Sequence, residues 1–93
     1  MYILVEHTIS EPGAFWRAAE GATYPPPIKL HHTFPTRDGS HAACLWEADS
    51  ANALQTFLEP LINRYSHNEY FEVENREGLA MPSDVQRSAD ARA

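Results

Sequence analysis

Histidine is the residue type through which this sequence could do chemistry, since five of its 93 residues are histidines. Imidazole titrates near neutral pH and is the commonest metal ligand in proteins. The five are His7, His31, His32, His41 and His67. Their spacing matches no HExxH, paired CxxC or His-x-Cys signature, so any metal site would have to be assembled by the fold.

Two of these histidines interrupt stretches that are otherwise apolar on one face of a predicted strand. His7 has the same strand parity as Ile3 and Val5, and His32 has the same parity as Leu30. A buried imidazole needs hydrogen-bond partners or a ligand. We therefore expect both rings to lie on the inner surface of a sheet.

His41 begins the strand that follows His32, and a two-residue turn would give it the same parity as His7. His7, His32 and His41 could then converge on one divalent ion, nickel or zinc. The alternative is that His7 and His32 are satisfied core histidines and that His41 is a solvated residue of the hairpin.

Four further residues complete the predicted ligand pocket, namely His31, Trp46, Glu47 and Tyr70. Glu47 is expected among apolar residues, where an ionised carboxylate needs a donor or a cation. It could bind a ligand, or it could accept hydrogen bonds from the N-terminus of the helix that follows it.

The elements that must position these residues follow from periodicity and from turn signals. Residues 1–9 and 28–36 are rich in apolar and β-branched residues that predict strands, and Ser10 is a candidate cap for a short first helix. Ser50 is a candidate cap for a second helix with an apolar stripe at helical spacing. Pro60 falls inside this stripe and predicts a kink or a fresh turn near Glu59.

A hairpin joins the second and third strands, because Asp38-Gly39 is a strong two-residue turn signal. A fourth strand is predicted over residues 70–75. A two-residue turn predicts the antiparallel pairs Thr36–His41, Phe34–Ala43, His32–Leu45 and Leu30–Glu47, all of which a bulge would shift.

The order β-α-β-β-α-β predicts an α+β, ferredoxin-like domain. Right-handed crossovers place both helices on one face of a four-stranded antiparallel sheet, with strand order 4-1-3-2. We expect this domain to cover residues 1–81 and residues 82–93 to form a flexible polar tail.

The second face of the sheet also carries large apolar side chains. Tyr2 and Leu4 lie on it in strand one, Tyr70 is expected to join them from strand four, and one of Leu45 and Trp46 must do so from strand three. A contiguous exposed apolar face indicates an interface. We expect the chain to form a homodimer through this face.

Composition argues against several classes of partner. The net charge is −6 with scattered basic residues, so no basic surface exists for nucleic acid or anionic membranes. No segment approaches the roughly 20 apolar residues that span a bilayer, and residues 1–9 do not resemble a secretory signal. The single cysteine, Cys44, is expected to be a buried inert thiol, and the protein is expected to be cytoplasmic.

Residues 30–73 resemble a small ferredoxin-like family of unknown function that includes a nickel-binding, dimeric member. The resemblance rests on His32-Thr33-Phe34, on the acidic-Gly hairpin, on the string from Cys44 to Ala48 and on the strand that ends at Val73. It implies His7 and His32 as candidate ligands, followed by His31 and Glu47. The wider fold group is similar to the dimeric α/β-barrel proteins, which include cofactor-independent monooxygenases.

Three functions are consistent with these features. The first is a non-catalytic homodimeric module that binds a metal ion, nickel by resemblance, or a small ligand. The second is a cofactor-independent monooxygenase or isomerase in which His7 or His32 abstracts a proton. The third is a structural or interaction domain without a ligand.

Overall fold

The computed structural model describes residues 1–74. The strands are β1 (Tyr2–Ile9), β2 (Lys29–Pro35), β3 (His41–Glu47) and β4 (Ser66–Val73), and the helices are α1 (Pro12–Gly21) and α2 (Ala51–Ile62). All strand pairs are antiparallel, in the order β2-β3-β1-β4. The predicted α+β ferredoxin-like topology is confirmed, while the predicted tail and the domain limit at residue 81 lie outside the described residues.

The β2–β3 hairpin turns at Asp38-Gly39, as its sequence predicts. Gly39 has φ 76°, in the left-handed region that glycine tolerates. The Asp38 carboxylate accepts hydrogen bonds from the Ser40 amide and hydroxyl and from the Thr36 hydroxyl. These bonds, led by the one from the Ser40 amide, lower the Asp38 pKa to about 2. The Thr36 amide donates to the His41 carbonyl at 2.8 Å, which closes the ladder next to the turn.

A β-bulge in β2 changes the register away from the turn. The predicted pairs Phe34–Ala43 and His32–Leu45 are present, but the ladder shifts between Leu30 and His32. The predicted Leu30–Glu47 pair is therefore wrong, because His31 is an extra residue that brings Leu30 opposite Trp46. The shift places Leu30 and His32 on opposite faces of the sheet, against the prediction that they share one.

The N-termini of the two helices are stabilised differently. Ser50 caps α2, since its hydroxyl accepts from the Ala53 amide at 3.0 Å, and α2 then continues through Pro60 without the predicted fresh turn. Ser10 does not cap α1. The helix begins one residue after Glu11, with no side-chain cap, and the Ser10 hydroxyl instead donates to the Tyr65 carbonyl at 3.0 Å.

Substituting Ser50 with Ala should lower the free energy of unfolding by about 1 kcal/mol, because the Ala53 amide loses its acceptor. Urea unfolding followed by circular dichroism measures this loss. Ser10→Ala is the matched control, since it removes an exposed hydroxyl that caps no helix. An equal loss in both variants would contradict the capping role.

One face of the sheet, which we call the closed face, packs against both helices. Ile3, Val5 and Ile9 of β1 share a single core with residues of β3, α1 and α2. Those partners are Phe15, Ala42, Cys44, Trp46, Leu54, Leu58 and Ile62. Burial of this apolar surface is the main favourable term in the folding of the domain.

The other face, which we call the open face, is not covered by either helix of residues 1–74. Its central row runs across all four strands through paired residues: His32, Leu45, Leu4 and Phe71. Tyr70 is not on this face as predicted, because it lies opposite Val5, on the closed face. Phe71 takes its place and is 43% exposed.

Within residues 1–74, neither helix has the length and apolar character needed to cross a membrane.

Candidate functional site

A cavity of about 50 Å³ lies between the closed face and the helices. Its walls are mostly aromatic and aliphatic, with contributions from β1, β2, β3, both helices and the connector after α1. The lining residues with polar side-chain groups are His7, Trp16, Tyr24, Thr33, Cys44 and Trp46, and the Trp16 indole donates to the Gly39 carbonyl. Mainly apolar walls with a few polar groups are typical of small-molecule sites, although such sites usually have volumes of roughly 300–1,000 Å³.

His7 is the buried polar residue of β1, with 4% of its surface exposed. His7 lies two residues after Val5 on β1, so its side chain points to the same closed face, as the sequence predicts. The ring packs edge-on against Phe15, with centroids 5.2 Å apart. Its Nδ1 lies 2.6 Å from Oδ1 of Asn68, the residue directly opposite it on β4.

A hydrogen-bond network fixes the orientation of the Asn68 amide. Its Nδ2 donates to Oε2 of Glu59 at 2.9 Å, and the same oxygen accepts from the Tyr70 hydroxyl at 2.6 Å. The Ser66 hydroxyl lies 2.8 Å from Oδ1 of Asn68. Because the Glu59 carboxylate can only accept, it must face the NH₂ group of Asn68. The carbonyl oxygen of Asn68 must therefore face His7.

This orientation decides the tautomer of His7. Because Oδ1 of Asn68 can only accept, Nδ1 of neutral His7 carries the proton and Nε2 holds a free lone pair. Among residues 1–74 no group makes a hydrogen bond with Nε2. His7 therefore presents a hydrogen-bond acceptor, or a single nitrogen ligand, at the cavity.

Burial lowers the pKa of His7 from its ordinary value near 6.5. The hydrogen bond that His7 donates to Asn68 and the charge of Glu59 raise the pKa but have smaller effects. The imidazole is thus neutral at pH 7, as a base or a metal ligand must be.

The stability of the domain should consequently fall as the pH drops through 6.5. The unfolded chain takes up a proton on His7 near pH 6.5, whereas the folded chain does so only at lower pH. The contribution of His7 is therefore complete above this pH and is lost below it. Urea unfolding of wild type and His7→Gln between about pH 7.5 and 5.5 should show a steeper loss for the wild type. Parallel curves would contradict this prediction.

Two other polar groups of the cavity lining are buried. The indole Nε1 of Trp46 has no hydrogen-bond partner in the described part of the chain. The Cys44 thiol lies 3.7 Å from the Thr33 hydroxyl, and burial raises its pKa, so it stays protonated. Trp46, predicted as a pocket residue, does line the cavity, and Tyr24 packs edge-on against it.

The three histidines predicted to bind one metal ion do not lie together. His7 is paired with Ala42, and His41 is paired with Thr8, so His7 and His41 point to opposite faces. The prediction that they share a parity is wrong, because His41 lies opposite Thr8, the residue next to His7 on β1. His41 is exposed and lies beside the Ser40 hydroxyl, with Nδ1 and Oγ 3.0 Å apart.

His32 also lies on the open face. Its ring stacks on Phe34, with centroids 5.8 Å apart, and its Nε2 is buried without a partner in the described chain. Across residues 1–74, no group of three or more His, Cys, Asp or Glu residues is arranged to hold a metal ion.

His31 and Glu47 form a separate pair on the open face. His31 Nε2 and Glu47 Oε1 are 3.0 Å apart, and the His31 ring lies against Tyr2. The hydrogen bond from His31 is the main cause of a lowered Glu47 pKa. The predicted role of Glu47 at the start of α2 is filled by Glu72 instead, whose carboxylate accepts from the Ala51 amide at 3.1 Å.

The sequence does not single out Glu59 and Asn68 as site residues, although they orient His7. Asn68 is 61 residues from His7 in sequence, and Glu59 looks like an ordinary polar position of a helix. The one sequence signal for Asn68 is its place in β4. The strand begins at Ser66, and alternation along it puts Asn68 on the same face as Tyr70.

The fold and the cavity together define an α+β domain of ferredoxin-like topology with a buried histidine at a small, mainly apolar cavity. No family model, no curated protein and no solved structure matches the chain.

Proposed function

We propose that the chain is a homodimeric module that binds a small ligand in the cavity between sheet and helices. The observation that carries the proposal is the partnerless Nε2 of His7 at a cavity whose walls are otherwise mainly apolar. A polar atom without a partner at a mainly apolar cavity gains a hydrogen bond when a ligand supplies one, so such a site is suited to a ligand.

The size of the cavity limits the ligand. A single water molecule needs a cavity of roughly 10–15 Å³. The cavity has about 50 Å³, which suits a molecule of a few heavy atoms or a slender arm of a larger one.

The second copy would cover the open face. Leu4 and Leu45 are half-buried there, while Phe71 and Phe34 are 43% and 65% exposed. Leu45, Leu4 and Phe71 are adjacent in one row of the sheet, and Phe34 lies in the next row, which also carries Ala43, Glu6 and Glu69. The apolar surface is therefore this central row with Phe34 at its edge. Burying it between two copies would add apolar area to a domain whose own core is small. The resemblance to a dimeric ferredoxin-like family supports the same arrangement.

Nickel or zinc is the other ligand class of this proposal and rests on the same resemblance. His7 offers one nitrogen at the cavity, whereas His32 and His41 lie on the open face. A small organic ligand is therefore better supported than a metal ion.

Titration of the ¹⁵N-labelled full chain tests the proposal, with nickel chloride, zinc chloride and a panel of uncharged molecules of about four to six heavy atoms as probes. Amide signals of the cavity residues should shift with at least one probe. The shifts should be lost in His7→Phe and kept in His41→Ala, whose site is on the opposite face. Shifts that persist in His7→Phe, or no shifts with any probe, would overturn the proposal.

Proton transfer is a second candidate function, favoured by the neutral, oriented imidazole of His7. In it, Nε2 takes a proton from a carbon next to a carbonyl, the electron pair forms an enolate, and the proton is later returned to carbon. Deuterium exchange of acetone, followed by proton NMR in D₂O, tests this. Wild type should accelerate exchange over His7→Gln, and equal rates would reject it.

A further inference from the structure

We infer that the cavity selects an uncharged ligand that donates an O–H or N–H group to Nε2 of His7. This inference rests on the proposed function, because it takes the cavity as the ligand site. It goes further by naming the chemical class of the ligand.

Asn68 and Glu59, which do not line the cavity, make Nε2 of His7 a hydrogen-bond acceptor. Glu59 accepts from both Tyr70 and Asn68, so its carboxylate is surrounded by donors. Turning the Asn68 amide over would set its oxygen against this carboxylate and its NH₂ group against Nδ1 of His7. The Glu59 bond would be lost, at a cost of roughly 1–3 kcal/mol for the unsatisfied group. Only at this cost could Nδ1 of His7 become an acceptor and Nε2 carry the proton.

Ser66 lies beside the same amide. Its hydroxyl is 2.8 Å from Oδ1 of Asn68 and 3.1 Å from the Ile62 carbonyl at the end of α2, and its single proton can be donated to only one of them. The orientation of the amide is therefore set by the bond from its Nδ2 to Glu59. His7 cannot move its proton from Nδ1 to Nε2 without losing the bond to Oδ1 of Asn68.

The walls of the cavity select against charge. Within residues 1–74, no Lys, Arg, Asp or Glu side chain belongs to the cavity lining. A charged ligand would lose its hydration without meeting an opposite charge, since His7 is neutral and the Glu59 carboxylate is already occupied by two donors. An uncharged donor loses less on leaving water and gains one hydrogen bond.

Pyrrole and furan are a matched pair of probes, because they are five-membered rings of similar size and only pyrrole donates an N–H. NMR titration of the ¹⁵N-labelled full chain should give a dissociation constant about 3–10-fold lower for pyrrole, the effect of one net hydrogen bond. His7→Phe should remove this difference. His41→Ala should keep it, because His41 lies on the open face.

A direct reading of the tautomer does not depend on any variant. Long-range ¹H–¹⁵N correlation on the wild type near pH 7.5 should show His7 with a protonated Nδ1 and an unprotonated Nε2. Asn68→Leu, which removes the acceptor of the Nδ1 proton, should release a mixture of both tautomers.

The outcomes separate the inference from the proposed function. Equal affinities for pyrrole and furan, or a protonated Nε2 in the wild type, would overturn the inference and leave the cavity as a ligand site. If neither ring shifts any cavity signal, the inference fails, and the proposed function fails with it when nickel, zinc and the other small molecules also cause no shifts.

Discussion

Leu54→Ala is expected to lower the free energy of unfolding by about 2–5 kcal/mol, the range for truncation of a fully buried leucine. Leu54 is completely buried in the core formed by the helices and the closed face. Domains of this size are stable by only about 5–15 kcal/mol, so this loss would remove a large part of the total. Urea unfolding monitored by circular dichroism measures it.

Leu61→Ala is the control, with the same atoms removed from the same helix. Leu61 is 37% exposed, so its truncation should cost less than half as much as that of Leu54. Similar losses in the two variants would mean that α2 does not pack through the stripe of Leu54, Leu58 and Ile62.

The architecture was predictable because its signals are local. Alternation marks β1, the Asp38-Gly39 turn sets the hairpin, and Ser50 with the stripe of α2 marks the second helix. The handedness rule for crossovers then leaves one strand order. Each of these signals lies within a few residues of the element it specifies.

The positions of the histidines were less predictable, because a shift of one residue moves a side chain to the other face of a strand. No sequence signal marks His31 as the bulge, yet the bulge separates Leu30 from His32. The pairing of β1 with β3 is set by packing across the core rather than by a turn. Its register put Ala42, not His41, opposite His7.

The network around His7 explains why β4 was hard to recognise. At its beginning, the closed-face positions are held by Ser66 and Asn68 instead of apolar residues. The alternation of apolar and polar residues is therefore weak where β4 contacts His7 and becomes clear only from Tyr70 onward. The residues that obscured the strand are those that orient the candidate site.

Dimerisation through the open face gives the second large prediction. Leu4 lies at the centre of this face, between Leu45 and Phe71. Leu4→Lys would bury an ammonium group in the proposed interface, one row from Glu6, and removing such an ion from water costs about 3 kcal/mol or more. The dissociation constant of the dimer should rise at least about a hundredfold, since each 1.4 kcal/mol is a factor of ten. Light scattering coupled to size exclusion measures the change.

The matched control is Gln55→Lys, which adds the same charge at an exposed position of α2. It should leave the dimer intact, whereas Leu4→Lys should yield a folded monomer with an unchanged circular dichroism spectrum. The spectrum should be unchanged because Leu4 is not part of the core beneath the helices. A wild type that is monomeric at micromolar concentration would reject the interface, and a dimeric Leu4→Lys would place it elsewhere on the molecule. The cavity lies on the closed face, so its ligand binding should survive in the monomer unless the second copy contributes to the site.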